Sequence, residues 1–306
     1  MNIVYITDVH LVYNQPPARL DKIIDTQFKK LKNVLDIARE NNAILIIGGD
    51  FCDTPRSWYL LPDIMDILNL YKDVKIYAVY GQHDTYFYNK ETRHATNLGI
   101  LVKADLINLL EETPTVFNDV HIYGVHTTES IPEVVDDTAL NILIIHAPIS
   151  DVGLFSSHNY INALDFINTH KEFNIVLCGD IHRRFQVDSD DGKRVILNTG
   201  PLLRLKGTEY NMMHIPGVYL IDTNKRKINW IAIDHDPSEL VITRDHIIEE
   251  KESNEIISHV VSNIKNKDVI LQTDIKKNIM SVVEKNELSL DVKNYFIKLM
   301  SKKQGE

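Results

Sequence analysis

Ala43-Ile44-Leu45-Ile46-Ile47-Gly48-Gly49-Asp50-Phe51-Cys52-Asp53 decides how this chain is read. A short run of apolar, strand-favouring residues that does not alternate with polar ones is a strand buried on both faces. It stops at two glycines, and carboxylates follow at once. The same arrangement recurs along the chain. The strand from Ile3 to Thr7 ends in Thr7-Asp8-Val9-His10, and the one from Val74 to Val79 leads into Gly81-Gln82-His83-Asp84. Asn141 to Ile145 ends in His146, and Asn174 to Leu177 leads into Gly179-Asp180-Ile181-His182. Open α/β sheets bind ligands beyond the carboxyl ends of their strands, so five strands deliver Asp, His or amide groups to one edge.

Helical patterns separate these runs. From Leu20 to Glu40 the residues Ile23, Ile24, Phe28, Leu31, Leu35 and Ala38 recur on one face, and further helices are expected at Ser57 to Tyr71 and Ile161 to His170. With another strand at Val120 to Tyr123, the alternation defines an α/β fold. From about Arg194 the pattern changes. Val195 to Asn198, Val218 to Asp222 and Lys227 to Ile233 are closely spaced strands, more like an antiparallel sheet than βαβ units. After Pro237 the chain turns helical and charged. This places a catalytic domain at 1–236 and an accessory helical region at 237–306, with apolar stripes such as Ile256, Ile257, Val260, Val261 and Ile264.

The chain has 306 residues and a formal net charge of −10, which counts against a protein that coats nucleic acid by bulk charge. Its two cysteines, Cys52 and Cys178, form no disulfide framework or zinc-finger spacing, so a reducing compartment is expected. No run approaches the roughly 18 apolar residues of a membrane span, and the N-terminus has no basic leader, so the expectation is a soluble cytoplasmic protein.

Carboxylate, imidazole and amide oxygen together suit Mn²⁺, Fe²⁺, Zn²⁺ or Mg²⁺. The donors exceed what one tetrahedral ion uses, which implies two ions. Two ions about 3.5–4 Å apart can activate a water and clamp the oxygens of a phosphoryl group. Asp50, on a central strand, is the natural bridge. Tyr86, Phe87 and Tyr88 are candidates to stack on a base or ribose. His121, His126, His158, His214 and His235 read as structural or surface residues.

The series Asp8-x-His10, Gly48-Gly49-Asp50, Gly81-Gln82-His83-Asp84, His146 and Gly179-Asp180-x-His182 resembles the calcineurin-like metallophosphoesterase superfamily. Within it the chain looks most like SbcD-type DNA repair nucleases and their phage recombination relatives. The stretches behind that narrower likeness are Gly49-Asp50-Phe51-Cys52-Asp53-Thr54 and Asn198-Thr199-Gly200-Pro201-Leu202-Leu203-Arg204. The resemblance implies a metallophosphoesterase sandwich, two mixed β-sheets flanked by helices, followed by a C-terminal accessory helical region. It implies a DNA exonuclease or endonuclease that acts in repair or recombination with two divalent ions, foremost Mn²⁺, with Mg²⁺ or Fe²⁺ as substitutes. It also implies an SbcC-like coiled-coil ATPase bound through the C-terminal region, a homodimer, and no membrane partner.

By the same resemblance, Asp8, His10 and His182 hold the first metal, while Gln82, His146 and Asp180 hold the second. Asp50 bridges them. His83 faces the scissile phosphate and Asp84 orients His83. Arg183, Arg184 and Arg204 are candidate contacts to DNA phosphate, since guanidinium suits bidentate phosphate binding. Two positions depart from the family pattern: Gln82 stands where Asn is usual, and Asp180 where the nucleases have His. Both fall on the second metal and make it more oxygen-rich, which favours Mn²⁺ or Mg²⁺ over Zn²⁺. The same ligands also fit a phosphatase or a cyclic-nucleotide phosphodiesterase. A non-catalytic scaffold is the third reading, and the presence of His83 and Asp84 argues against it.

Overall fold

The structure, a computed structural model, describes residues 1–153 and 160–245. Its first half runs through β1 (Asn2–Ile6), α1 (Ile23–Glu40), β2 (Ala43–Ile47), α2 (Leu61–Leu70), β3 (Ile76–Ala78), α3 (Asn97–Lys103), β4 (Asn108–Leu109), β5 (Thr115–Phe117) and β6 (Val120–Val125). Then come β7 (Leu140–His146), β8 (Ile149–Ser150), β9 (Ile161–Asn162), α4 (Ala163–Thr169), β10 (Ile175–Gly179), β11 (Arg184–Asp188) and β12 (Val195–Thr199). The last elements are α5 (Glu209–Met213), β13 (Gly217–Asp222), β14 (Lys227–Ala232) and α6 (Ser238–Val241).

Two six-stranded mixed sheets carry the fold, in the orders β14-β13-β1-β2-β3-β4 and β11-β12-β10-β7-β6-β5, with β8 and β9 paired apart from them. The apolar runs explain why the sheets stack. Successive side chains of a strand point to opposite faces, so a run apolar throughout feeds two cores at once. Ile3, Tyr5, Ile46 and Tyr77 meet Ile122, Ile142, Ile144, Ile175, Leu177 and Leu197 between the sheets. The intervening Val4, Ile6, Leu45, Ile47 and Ile76 pack outward on Leu31, Val34, Leu35 and Ile64 of α1 and α2. On the far side Tyr123, Leu143, Ile145 and Val176 cover Ala163, Phe166 and Ile167 of α4. The result is a helix–sheet–sheet–helix sandwich. Each fully buried Ile or Leu contributes roughly 1.5–3 kcal/mol, so the interleaved core holds the layers together. Tyr5 adds a polar tie, its hydroxyl donating to the Cys178 carbonyl at 2.8 Å. Burial keeps both thiols above their ordinary range and therefore unreactive.

The strands after Arg194 do not form a sheet of their own. β12 lies parallel to β10 in the second sheet, whereas β13 extends the first sheet antiparallel to β1 and β14 pairs antiparallel with β13. Close spacing revealed a hairpin, but the crossing from one sheet to the other is decided by burial in the central core. The compact unit runs from Met1 to Arg244. Residues 237–244 are therefore part of it: Leu20 N donates to Val241 O at 3.1 Å and Thr243 N to Ala18 O at 2.8 Å. The apolar stripes of the C-terminal region, and His158, lie outside the described residues. Among the described residues no helix is long and apolar enough to cross a membrane.

Candidate metal centre

β1, β2 and β3 run parallel in one sheet, as do β7 and β10 in the other, so the residues after their carboxyl ends converge on one edge of the sandwich. The chain turns sharply there. Asp8, His10, Asp50 and Asp180 take the left-handed conformation, with φ of 50°, 48°, 51° and 89°. Such backbone costs on the order of 1–3 kcal/mol per residue and persists only where surrounding contacts enforce it. Here Asp8 N donates to Gly49 O at 3.2 Å and His10 N to Asp50 O at 2.9 Å, which zips the two loops together. Gly49, at φ +98°, passes so close to the His146 ring that a methyl group would collide with it. A methyl at Gly81 would strike Asp50 in the same way.

The side chains delivered form three overlapping clusters, one of them His10, Asp50 and His83. His10 Nε2 and His182 Nε2 are 2.9 Å apart, and Asp8 Oδ1 lies 3.8 Å from the first and 3.5 Å from the second. Asp50 Oδ2 lies 3.3 Å from His146 Nε2 and 3.7 Å from His10 Nε2, which places it between the clusters. Donor atoms of Asp8, His10 and His182 lie within 4.8 Å of one another, and so do those of Asp8, Asp50 and His146. Asp50 Oδ2 and His146 Nε2 are buried with no hydrogen-bond partner. Buried polar atoms are ordinarily satisfied, and an unsatisfied carboxylate oxygen facing an unsatisfied imidazole fits a cation between them. The donor set, hard oxygen and borderline nitrogen without thiolate, fits divalent ions of the Mn²⁺, Mg²⁺, Fe²⁺ or Zn²⁺ type.

Charge balance in the metal-free centre points the same way. Burial raises Asp8, but hydrogen bonding to His182 and the charges of His182, His146 and His10 more than reverse it, and the carboxyl falls well below its ordinary range. Asp50 is likewise lowered against its burial, chiefly by His146. His146, against its own burial, is pushed up to about 10 by Asp50, Asp8 and Asp180. His182 is raised as well, chiefly by Asp8 against its burial, so the carboxylates Asp8, Asp50 and Asp180 crowd around these imidazoles, a concentration of negative charge of the kind that bound cations relieve.

Gln82 and Asp180, the two departures from the family pattern, meet. Gln82 Nε2 donates a 2.5 Å hydrogen bond to Asp180 Oδ1. The amide nitrogen is thereby fixed on the carboxylate, leaving the Gln82 oxygen as the donor available to a metal.

His83 sits at the mouth of the centre with its side chain 42% exposed. Its ring is not held by Asp84. His83 Nδ1 lies 2.7 Å from the Asp53 carbonyl, and His83 N donates to Asp50 Oδ1 at 2.8 Å. Asp84 is buried and turned the other way, accepting from Gly81 N at 3.0 Å, Phe51 N at 3.1 Å and Cys52 N at 3.3 Å. Burial, then the Asp50 charge, push it up to about 7 against those backbone donors. Asp84 therefore braces the loop carrying Asp50, and the expectation that it orients His83 is corrected. The residue that sequence reading missed is Asp53. Its carbonyl holds His83 and its Oδ1 stands 3.4 Å from His10 Nδ1, the outer position from which a carboxylate fixes a ligand histidine. Its place three residues after Asp50 was the available signal.

The arginines divide. Arg204 is 3% exposed, and its Nη2 donates to the Asp236 carbonyl, so it braces the interior and does not face DNA. Arg183 Nε pairs with Asp151 Oδ1 at 3.0 Å, and Arg184 lies over the Trp230 ring at 4.6 Å. Neither is brought into the metal clusters. His126 and His214 are structural: His126 Nδ1 accepts from Tyr80 N, and His214 Nε2 donates to the Pro201 carbonyl.

A centre of overlapping Asp and His clusters at the shared edge of a β-sandwich, with Gln82 hydrogen-bonded to Asp180 there, defines the class of protein. The calcineurin-like phosphoesterase family model matches residues 1–184, and the chain belongs to that family. It is thus a metallophosphoesterase, a hydrolase of phosphoesters in a family that uses two divalent ions. No curated protein sequence matches it. Among solved structures it is similar to a novel archaeal phosphodiesterase at 16% identity and TM-score 0.41, over 76% of this chain and 99% of that one. The protein TT1561 of Thermus thermophilus is similar at 13% identity and TM-score 0.48, over 76% of this chain and 98% of the other. The NAD nucleotidase of Haemophilus influenzae is similar at 14% identity and TM-score 0.40, over 76% of this chain and 49% of that one.

Proposed function

We propose that this metallophosphoesterase is a DNA nuclease of SbcD type, acting in repair or recombination in the cytoplasm with Mn²⁺ as its favoured ion. The observation that carries phosphodiester hydrolysis is the set of overlapping clusters linked through Asp8, His10 and Asp50, with the half-exposed His83 among them. Asp8, His10 and His182 would hold one ion, Gln82, His146 and Asp180 the other, and Asp50 would serve both. When bound, the ions supply charge neutralisation at the phosphoryl oxygens and lower the pKa of water. The rest is the work of the chain. The Asp53 carbonyl anchors the His83 ring through Nδ1, and Nε2 is left to hydrogen-bond a phosphoryl oxygen or to carry a proton to the leaving oxygen. Asp84 keeps the Asp50 loop closed on Gly81.

The narrower reading is supported by the second stretch that resembles the nucleases. Asn198 Nδ2 donates to Ile181 O at 2.9 Å, Thr199 Oγ1 accepts from Thr7 N at 3.1 Å, and Leu202 N donates to Asp8 O at 3.2 Å. That stretch therefore braces the strand ends carrying Asp8 and His182. An SbcC-like ATPase bound through the C-terminal region and a homodimer complete the proposal. The net charge of −10 favours the second reading, a phosphodiesterase or phosphatase with a small substrate.

Hydrolysis of a labelled linear duplex and a labelled single strand, with Mn²⁺, Mg²⁺ or EDTA, tests this, with bis-nitrophenyl phosphate alongside. We expect Mn²⁺-dependent DNA cleavage that disappears in His83→Ala. Cleavage of the small ester with both DNAs intact, the ATPase subunit included, would assign the small-substrate reading instead.

A further inference from the structure

Beside the metal centre lies an open groove of 970 Å³ whose walls include Tyr13, Arg56, Trp58, Tyr59, Tyr86 and Lys206. Asp53 also lines it, the same residue that contacts His10 and anchors His83. Trp58, Tyr59 and Tyr13 are 70%, 72% and 48% exposed. Large aromatic surface left in water beside an active centre marks a binding site. The rings are also arranged as platforms. Tyr13 and Tyr59 stack with centroids 4.9 Å apart and planes inclined by 24°. The Arg56 guanidinium lies 5.9 Å from the Trp58 ring and 5.5 Å from the Tyr86 ring.

The charge here runs opposite to that of the whole chain. Arg56 and Lys206 face one carboxylate, Asp53, along the groove, in a protein where acids outnumber Lys and Arg by 43 to 33. Neither cation forms a salt bridge among the described residues; Arg56 Nη2 reaches only the Ala95 carbonyl, at 3.3 Å. Flat rings open to solvent, a guanidinium bridging two of them and unpaired cations form the surface that binds single-stranded nucleic acid, with bases on the rings and phosphates on the cations. A duplex is a poor occupant, because its bases already stack on one another. A second copy of this acidic chain brings no nucleobase to the platforms.

We infer that this groove takes unstacked bases of a single DNA strand, leading its backbone past Asp53 to the metal centre. The inference rests on the nuclease reading and narrows it to single-stranded or frayed ends. Of the aromatic trio after His83, Tyr86 belongs to the groove, while Phe87 and Tyr88 do not line it.

The test is binding in EDTA, where no hydrolysis intervenes, of a thymidine 12-mer, an abasic strand of the same length and a duplex. The chain has two tryptophans, so Trp230→Phe leaves Trp58 as the sole indole reporter. The 12-mer is expected to quench it and the abasic strand to leave it unchanged. Trp58→Ala combined with Tyr59→Ala is expected to weaken 12-mer binding by about 10- to 100-fold and abasic binding little. Both side chains are solvent-exposed, and thermal melting verifies that the double variant folds. Equal binding of 12-mer and abasic strand, or an unchanged affinity in the double variant, would overturn the groove while leaving DNA cleavage by the wild type, and hence the nuclease reading, standing. A wild type that neither binds nor cleaves any DNA would remove both. A change from dimer to monomer on sedimentation with 12-mer affinity intact would reassign the groove to self-association.

Discussion

Gln82 and Asp180 depart from the family pattern at separate places in sequence, yet one hydrogen bond joins them. An asparagine at 82 is one methylene shorter and loses that bond, and a histidine at 180 offers no carboxylate to receive it. The pair is therefore expected to act as a unit on the second metal. Gln82→Asn alone and Asp180→His alone should each weaken that site, and together they should cost less than the sum, since the second change removes nothing the first has left. Residues sharing a hydrogen bond couple by about 0.5–3 kcal/mol. Mn²⁺ and Zn²⁺ calorimetry on the four proteins of the cycle measures this. Additive losses would mean that the two side chains bind the metal independently.

At the scale of elements, α1 shows what periodicity sees and what it overlooks. The apolar face of Ile23, Leu31, Leu35 and Ala38 is buried as the spacing predicts, but Gln27 and Lys30 are buried with it. Lys30 Nζ donates to Leu202 O at 3.2 Å, under the same stretch that braces Asp8. Burial, then the charges of Arg204 and Arg19, bring Lys30 down to about 7. The unfolded chain releases this proton near 10.5. Below pH 7 both states are protonated, and the cost of the buried charge is fully present. Between 7 and 10.5 the unfolded state binds more protons, so this contribution to stability improves as pH rises. Lys30→Met has no such term. Its advantage over wild type in urea unfolding with EDTA should be largest near pH 6.5 and shrink by on the order of 1 kcal/mol per pH unit above 7. A gap independent of pH would show that Lys30 keeps its ordinary proton affinity. The helix was legible because apolar spacing records the face it turns to the sheet. Lys30 was not, because its partner is a backbone carbonyl far along the chain. The same division holds for strands. β1, β2, β7 and β10 are continuous apolar runs ending at a ligand, and they could be read directly. β4, β8 and β9 have two residues each, too few for any period, and the split of β12 from β13 depends on which core each one covers. The proposed ligands stood out because each follows a buried strand. Asp53 did not, since its role is to hold other residues.

At the scale of the whole molecule, the acidity of the chain and the construction of the centre are linked. Asp8, Asp50 and Asp84 are buried within the sandwich, and Asp180 stands beside them. In the metal-free protein His146, pushed up to about 10, offsets part of this carboxylate, and His182, also raised, offsets more. A ligand histidine must be neutral, so metal entering at pH 7.5 has to displace the His146 proton. Two consequences can be measured together. Because the metal binds the folded centre and not the dispersed chain, Mn²⁺ at about 100 times its Kd should add about 2.7 kcal/mol, and the melting temperature should rise by roughly 5–10 °C over that in EDTA. Calorimetric titration in two buffers of different ionisation enthalpy should show different apparent heats, with about one proton released per His146 coordinated. Apparent affinity should fall as pH drops from 8 to 6, as protons compete better for the ring. Stabilisation without proton release would place the ion on the carboxylates alone and remove His146 from the ligand set.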